Sequence, residues 1–148
     1  MLMPTKILVP TDFSEYSDRA LAQALDIAKQ YRSKVFLLHV VHEHVYSSAF
    51  DLALSEEAVR EIKDGTTAWA RESLKKQLDS FPEAKEVEVV TNVREGVPYE
   101  EILKEGKEKG IDLIVIASLG RTGIAKYLMG GVARNVLKGS KCPVLLTK

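Results

Sequence analysis

The chain has 148 residues, 45% hydrophobic and 28% charged, a composition that fits one ordinary globular domain, long enough to bury about 70% of the surface its unfolded chain exposes. Its 21 basic and 21 acidic residues cancel, which argues against bulk electrostatic binding to nucleic acid or to an anionic membrane. One cysteine, Cys142, leaves no intramolecular disulfide framework, the N-terminal Met-Leu-Met-Pro-Thr-Lys-Ile lacks a signal peptide's apolar core, and no apolar run nears the roughly 18 residues that span a bilayer, so a cytoplasmic location is expected.

Lys6 to Pro10 is a short apolar run ending on the turn residues Pro10, Thr11 and Asp12, and reads as a buried strand. Ser14 is placed to cap a helix whose Ala20, Leu21, Ala24, Leu25, Ala28 and Tyr31 form one apolar stripe. Lys34 to Val41 is a second β-rich run, continuous rather than alternating, as a strand covered on both faces requires. Residues 42–53 read as a loop. Ser55, Glu56 and Glu57 then open a long helix with Val59, Ile62, Thr66, Trp69, Ser73, Leu74 and Leu78 on its inner face. That pattern places Trp69 in the core and ends near Ser80, where Phe81-Pro82 closes the helix.

Glu86 to Thr91 alternates more than the other strands, which suits an edge position. Pro98 sits at the first turn of a helix that buries Tyr99, Ile102 and Leu103 and stops at Gly110. Asp112 to Ser118 is a fourth strand. It runs into a glycine-marked loop, Leu119 to Gly123, and later a helix from Gly131 to Lys138; Pro143 to Thr147 is the fifth strand. Strands alternating with helices predict an α/β fold, an open and mostly parallel sheet with helices on both faces. No linker or internal repeat divides the chain, so a single domain over residues 1–148 is expected.

In such sheets ligands bind beyond the carboxyl ends of the strands, where strand order reverses. Two strand ends carry unusual chemistry: Val9-Pro10-Thr11-Asp12 and Ser118-Leu119-Gly120. Gly120 and Gly130 lack a Cβ, so an anion can approach the main chain, and the helix opening at Gly131 offers N–H groups to it. From Arg121 onward the chain carries Arg121, Lys126, Arg134, Lys138, Lys141 and Lys148 and no acidic residue. A negatively charged ligand fits. Asp12 could bond a sugar or base, or could serve only as a turn carboxylate beside Ser14. The glycine spacing alone also fits plain turn and cap geometry.

Other chemistry finds little support. His39, His42 and His44 with Glu43 match none of the usual zinc spacings. There is no Gly-x-x-x-x-Gly-Lys-Ser/Thr loop and no Gly-x-Gly-x-x-Gly fingerprint. Cys142, directly before Pro143, reads as a small packing residue. Nothing resembles a nucleophile with its general base, so no dedicated catalytic activity is expected.

Lys6-Ile-Leu-Val-Pro-Thr-Asp, Leu38-His-Val-Val, Asp112-Leu-Ile-Val-Ile-Ala, Gly120-Arg-Thr-Gly-Ile, Met129-Gly-Gly-Val-Ala-Arg-Asn-Val-Leu and Cys142-Pro-Val-Leu-Leu occur in one order along the chain. Together they resemble the universal stress protein (UspA-like) family over essentially the whole length. The resemblance implies a Rossmann-like, adenine nucleotide α-hydrolase-like fold with five parallel strands in the order 3-2-1-4-5, placing strands one and four side by side. ATP-binding members share Gly, two residues, Gly, nine residues, then Gly followed by Ser or Thr. Laid on this chain, the pattern falls on Ala117, Gly120, Gly130 and Gly131, and departs at its first and last positions. Losing the hydroxyl at the last position costs about 1.5–3 kcal/mol, roughly one to two decades in affinity. Weakened rather than abolished binding is therefore expected, with Arg121 and Lys126 available to compensate.

By the same resemblance Val9, Pro10, Thr11 and Asp12 meet the base and ribose, and Val40 meets adenine. Ala117, Leu119, Gly120, Arg121, Gly130, Gly131 and Val132 surround the ribose and phosphates. The implied ligand is ATP, or AMP or ADP in its place, with Mg²⁺ or Mn²⁺ accompanying the phosphates and no metal held by the protein alone. The implied assembly is a homodimer through strand 143–147. The implied role is a stress-response sensor or switch with at most slow hydrolysis. The alternative is a nucleotide-free dimeric interaction module of the UspA type.

Overall fold

β1 (Lys6–Pro10), α1 (Glu15–Tyr31), β2 (Lys34–His42), α2 (Glu56–Asp79), β3 (Val89–Gly96), α3 (Pro98–Lys109), β4 (Leu113–Ala117), α4 (Gly131–Gly139) and β5 (Val144–Thr147) follow one another in the computed structural model, which describes residues 2–43, 52–120 and 129–148. The five strands form one parallel sheet in the order β3-β2-β1-β4-β5. Ile7 stands between Val35 of β2 and Leu113 of β4, so strand order reverses on either side of β1.

The helices begin and end where local chemistry dictates. Ser14 accepts a hydrogen bond from the Ser17 N–H at the start of α1, and Ser55 does the same for Ala58 at the start of α2. Pro98 opens α3, and Gly110, with φ 65°, closes it in the left-handed conformation that glycine adopts without strain.

Each face of the sheet has its own core. Ile7, Val9, Val35, Leu37 and Val115 pack with Ala20, Leu21, Ala24 and Leu25 of α1 and Leu74 of α2. On the opposite face Leu8, Phe36, Leu38, Ile114 and Ile116 pack with Ile102 of α3 and Ala133 and Val136 of α4. A strand covered on both sides has no polar face, which is why β1, β2 and β4 read as unbroken apolar runs.

Three readings need correction. Trp69 is 51% exposed, and Ile62 and Tyr31 also lie exposed. The face α2 buries is Val59, Ala70, Leu74 and Gln77. Small Ala70 makes the close approach to Val41 and Val93, which swings Trp69 to the flank of the helix. Its ring there meets Phe13 and His39 edge-on, with centroids 5.5 Å and 6.0 Å away. The third strand starts three residues later than the alternation indicates, because Pro82–Glu86 curls into a 3-10 turn, and it ends five residues later, at Gly96. Its edge position is as expected, with no residue of β3 fully buried. β2 continues through His42, and most of the stretch expected to be a loop, including His44, falls outside the described residues.

Candidate functional site

The chain leaves β1 toward α1 on one face of the sheet and leaves β4 toward α4 on the other. A cleft of roughly 310 Å³ opens between the two exits, at the low end of the size range of small-molecule sites. From β1 it is lined by Pro10, Thr11 and Asp12, and from β2 by Leu38, His39 and Val40. The β4 exit supplies Ala117, Ser118, Leu119 and Gly120, and the start of α4 supplies Gly130, Gly131 and Val132. Ten of the twelve residues singled out in the sequence are thus brought to one place. Val9 is not among them: it is fully buried in the core beneath α1. Arg121 lies outside the described residues.

Asp12 serves the turn with one carboxylate oxygen and lines the cleft with the other. One carboxylate oxygen accepts the Ser14 N–H at 3.0 Å, which makes the turn into α1. The other faces Gly120, where a Cβ would stand 2.9 Å from it. His39 Nδ1 lies 2.8 Å from the Thr11 carbonyl oxygen. A carbonyl only accepts, so this ring nitrogen carries the proton. His39 is therefore a strut beneath the Thr11 turn as well as part of the lining.

The glycines divide their work differently from the simplest expectation. The Gly130 N–H is already committed to the Ser118 carbonyl at 2.7 Å. Its φ of −59° is available to any residue. What favours glycine is the Ser118 oxygen, 3.2 Å from where a Cβ would stand, a contact tighter than an ordinary one. The first bond within α4 runs from the Arg134 N–H to the Gly130 carbonyl. The amides of Gly131, Val132 and Ala133 therefore precede the helical ladder and are the donors this helix can offer an anion. A Cβ on Gly131 would meet nothing within 4 Å among the described residues.

Pro98 and Ile102 of α3, with Ile116 and Ala133, complete an apolar wall of the cleft. Pro98 and Ile102 belong to none of the motifs above, and the folding of α3 over β2 brings them here. Ser17 also reaches the cleft, from the first turn of α1. No cluster of three His, Cys, Asp or Glu able to hold a metal occurs among the described residues. No helix among them is long and apolar enough to cross a membrane.

The sequence model of the universal stress protein family matches residues 3–148. The universal stress protein MJ0577 of Methanocaldococcus jannaschii is 35% identical over 161 residues, covering 99% of this chain and 96% of that protein. The solved structure of MJ0577 superposes with a TM-score of 0.85 at 34% identity, covering 99% of this chain and 97% of that one. A universal stress protein solved in complex with cAMP shares the fold, with a TM-score of 0.71 at 23% identity over 99% and 98% of the two chains. So does one from Archaeoglobus fulgidus in complex with dAMP, with a TM-score of 0.59 at 21% identity over 99% and 100%.

Proposed function

The chain belongs to the universal stress protein family, and from that premise we propose that its cleft binds ATP, or AMP or ADP in its place, as a stress-response sensor or switch. The observation that carries the reading is the polarity of the cleft. The Asp12 carboxylate, an acceptor, stands at its β1 side, and the leading amides of α4, donors in the positive field of a helix terminus, stand at its β4 side. A nucleoside phosphate has the matching polarity: a base and sugar rich in donors, joined to an anion. The apolar wall of Pro98, Ile102 and Val40 suits the flat faces of a base. Two chains of this fold were solved with the adenine mononucleotides cAMP and dAMP, which agrees with that choice of ligand class.

Mg²⁺ or Mn²⁺ would enter with the phosphates, taking most of its ligands from them and from water. Residues 143–147 would pair two copies, and the protein would work in the cytoplasm. A nucleotide-free interaction module of the UspA type is the second reading, favoured by one observation: Gly131 stands where ATP-binding members carry a hydroxyl.

The deciding experiment is the melting curve with and without millimolar MgATP, together with analysis of the nucleotide carried by the purified protein. The nucleotide reading expects a rise in Tm. It also expects Gly120→Val to remove that rise, because any Cβ there displaces the Asp12 carboxylate. No shift in the wild type, with no co-purified nucleotide, would leave the second reading standing.

A further inference from the structure

Behind the cleft, on the α1 and α2 side of the sheet, a buried polar chain reaches from the Asp12 turn to helix α2. Phe13 sits in this turn with φ 64°, a left-handed conformation that costs a bulky residue free energy and persists only where its surroundings enforce it. Its N–H donates to Thr11 Oγ1 at 3.1 Å. Thr11 Oγ1 lies 2.9 Å from Gln77 Oε1 and 3.0 Å from Ser17 Oγ. Gln77 is 8% exposed, and its Nε2 lies 2.7 Å from Asp18 Oδ1.

The protons in this chain can be assigned. An ionised Asp18 carboxylate can only accept, so the amide NH₂ of Gln77 must face it and the amide oxygen must face Thr11. Thr11 has one hydroxyl proton, and the Gln77 oxygen takes it. The Thr11 oxygen is then left as an acceptor for the Phe13 N–H, while the Ser17 hydroxyl donates to the Ser14 carbonyl at 2.8 Å. Gln77 thus sets the rotamer in which Thr11 holds Phe13, and Phe13 fixes the turn that aims Asp12 at Gly120.

We infer that Gln77, on a helix whose described residues do not line the cleft, is a positioning residue for Asp12. Its binding consequence rests on the nucleotide reading above; its structural consequence does not. Replacing Gln77 with leucine keeps the bulk and removes the acceptor. Thr11 then keeps only Ser17 Oγ as an acceptor for its proton, and the strained turn relaxes.

The test combines two measurements on Gln77→Leu, Asp12→Asn and the double variant. Amide hydrogen exchange should show the Phe13 and Ser14 amides of Gln77→Leu exchanging at least about ten-fold faster relative to the sheet-core amides of β1 and β2. Calorimetry with MgATP should show affinity falling about ten-fold in Gln77→Leu, the worth of one well-placed hydrogen bond, with no further fall when Asp12 is already asparagine. Should Gln77→Leu fail to fold, Thr11→Val removes the same hydroxyl link and should give the same pattern. Equal acceleration of the turn and the core, or additive losses of affinity, would reduce Gln77 to a general stabiliser and overturn the inference. A wild type that takes up no ATP would overturn the nucleotide reading instead, and the exchange data would still decide the role of Gln77.

Discussion

Gly131 offers the sharpest test at the scale of single residues. The family pattern places Ser or Thr there, and the surrounding space is open, since a Cβ would contact no described atom within 4 Å. A hydroxyl at the first residue of α4 would join amides that already precede the helical ladder. Gly131→Ser should therefore tighten MgATP binding by about ten- to a hundred-fold, the worth of one hydrogen bond to a charged oxygen. Titration calorimetry on the two proteins measures it directly, and unchanged affinity would mean that no phosphate passes this position. Much of the cleft is legible in residues of this kind: turn residues and glycines announce themselves because few side chains tolerate their geometry. Pro98, Ile102, Ile116 and Ala133 do not. They are apolar residues in apolar patterns, and their part in the lining depends on which strands the sheet sets side by side. Gly130 is a third case: besides leaving the main chain open, its missing Cβ relieves a close approach to the Ser118 oxygen that no sequence pattern reveals.

At the scale of elements, α3 is bound to β3 by charge as well as by apolar packing. Glu105 is fully buried on α3 and accepts from Arg94 at 2.8 Å and from Asn92 at 3.1 Å, both on β3. Arg94 also bridges to Glu101 and Glu108. Arg94→Met would leave the Glu105 carboxylate buried without its cation, a loss of about 3 kcal/mol. Adding Glu105→Gln should restore most of it, which chemical denaturation of the single and double variants would reveal. At the other end of the sheet Asp112 accepts from the Thr5 N–H and hydroxyl and from the Lys6 N–H, tying the start of β4 to the start of β1. Partial burial works against its charge, but these hydrogen bonds outweigh it and hold the carboxyl below its ordinary value. A depressed carboxyl contributes stability that is complete above its unfolded pKa, about 4, and is lost as pH falls through the lower folded value. Asp112→Asn should thus cost about 1 kcal/mol at pH 7, and the gap from wild type should close on acidification below pH 4. Element type and order were readable in this chain because apolar periodicity is strong in α1, β1, β2 and β4. The start of β3 was not, since a 3-10 turn leaves no periodic mark. The seating of α2 was not either: its most buried residue is an alanine and another of its buried residues a glutamine, and an apolar template points to Trp69 instead.

The molecule as a whole has two unlike sheet edges. β3 carries Arg94 and Glu95 within its strand, charges of the kind that discourage a further strand from adding. β5 reads Val144-Leu145-Leu146-Thr147, without a charge, and Leu145 is 36% exposed. Its ladder to β4 uses the Pro143 and Thr147 carbonyls, which accept from Ile114 and Ser118. In a parallel ladder the backbone groups of the intervening residues Val144 and Leu146 then point outward. The Thr147 hydroxyl is buried without a hydrogen-bond partner among the described residues, a costly condition for a polar group unless something else satisfies it. An antiparallel β5 from a second copy, related by a two-fold axis, would pair the outward backbone groups and cover Leu145 with the same residues of its mate. A strand this short forms few such bonds, so a stable interface must also bury apolar side chains over about 1,000 Å² or more. Sedimentation velocity at micromolar concentration should accordingly find a dimer. Leu145→Lys places like charges near one another across the two-fold axis and should shift the protein to monomer, with its thermal response to MgATP retained because the cleft lies at the strand ends and not along this edge. A wild type that sediments as a monomer would rule the pairing out.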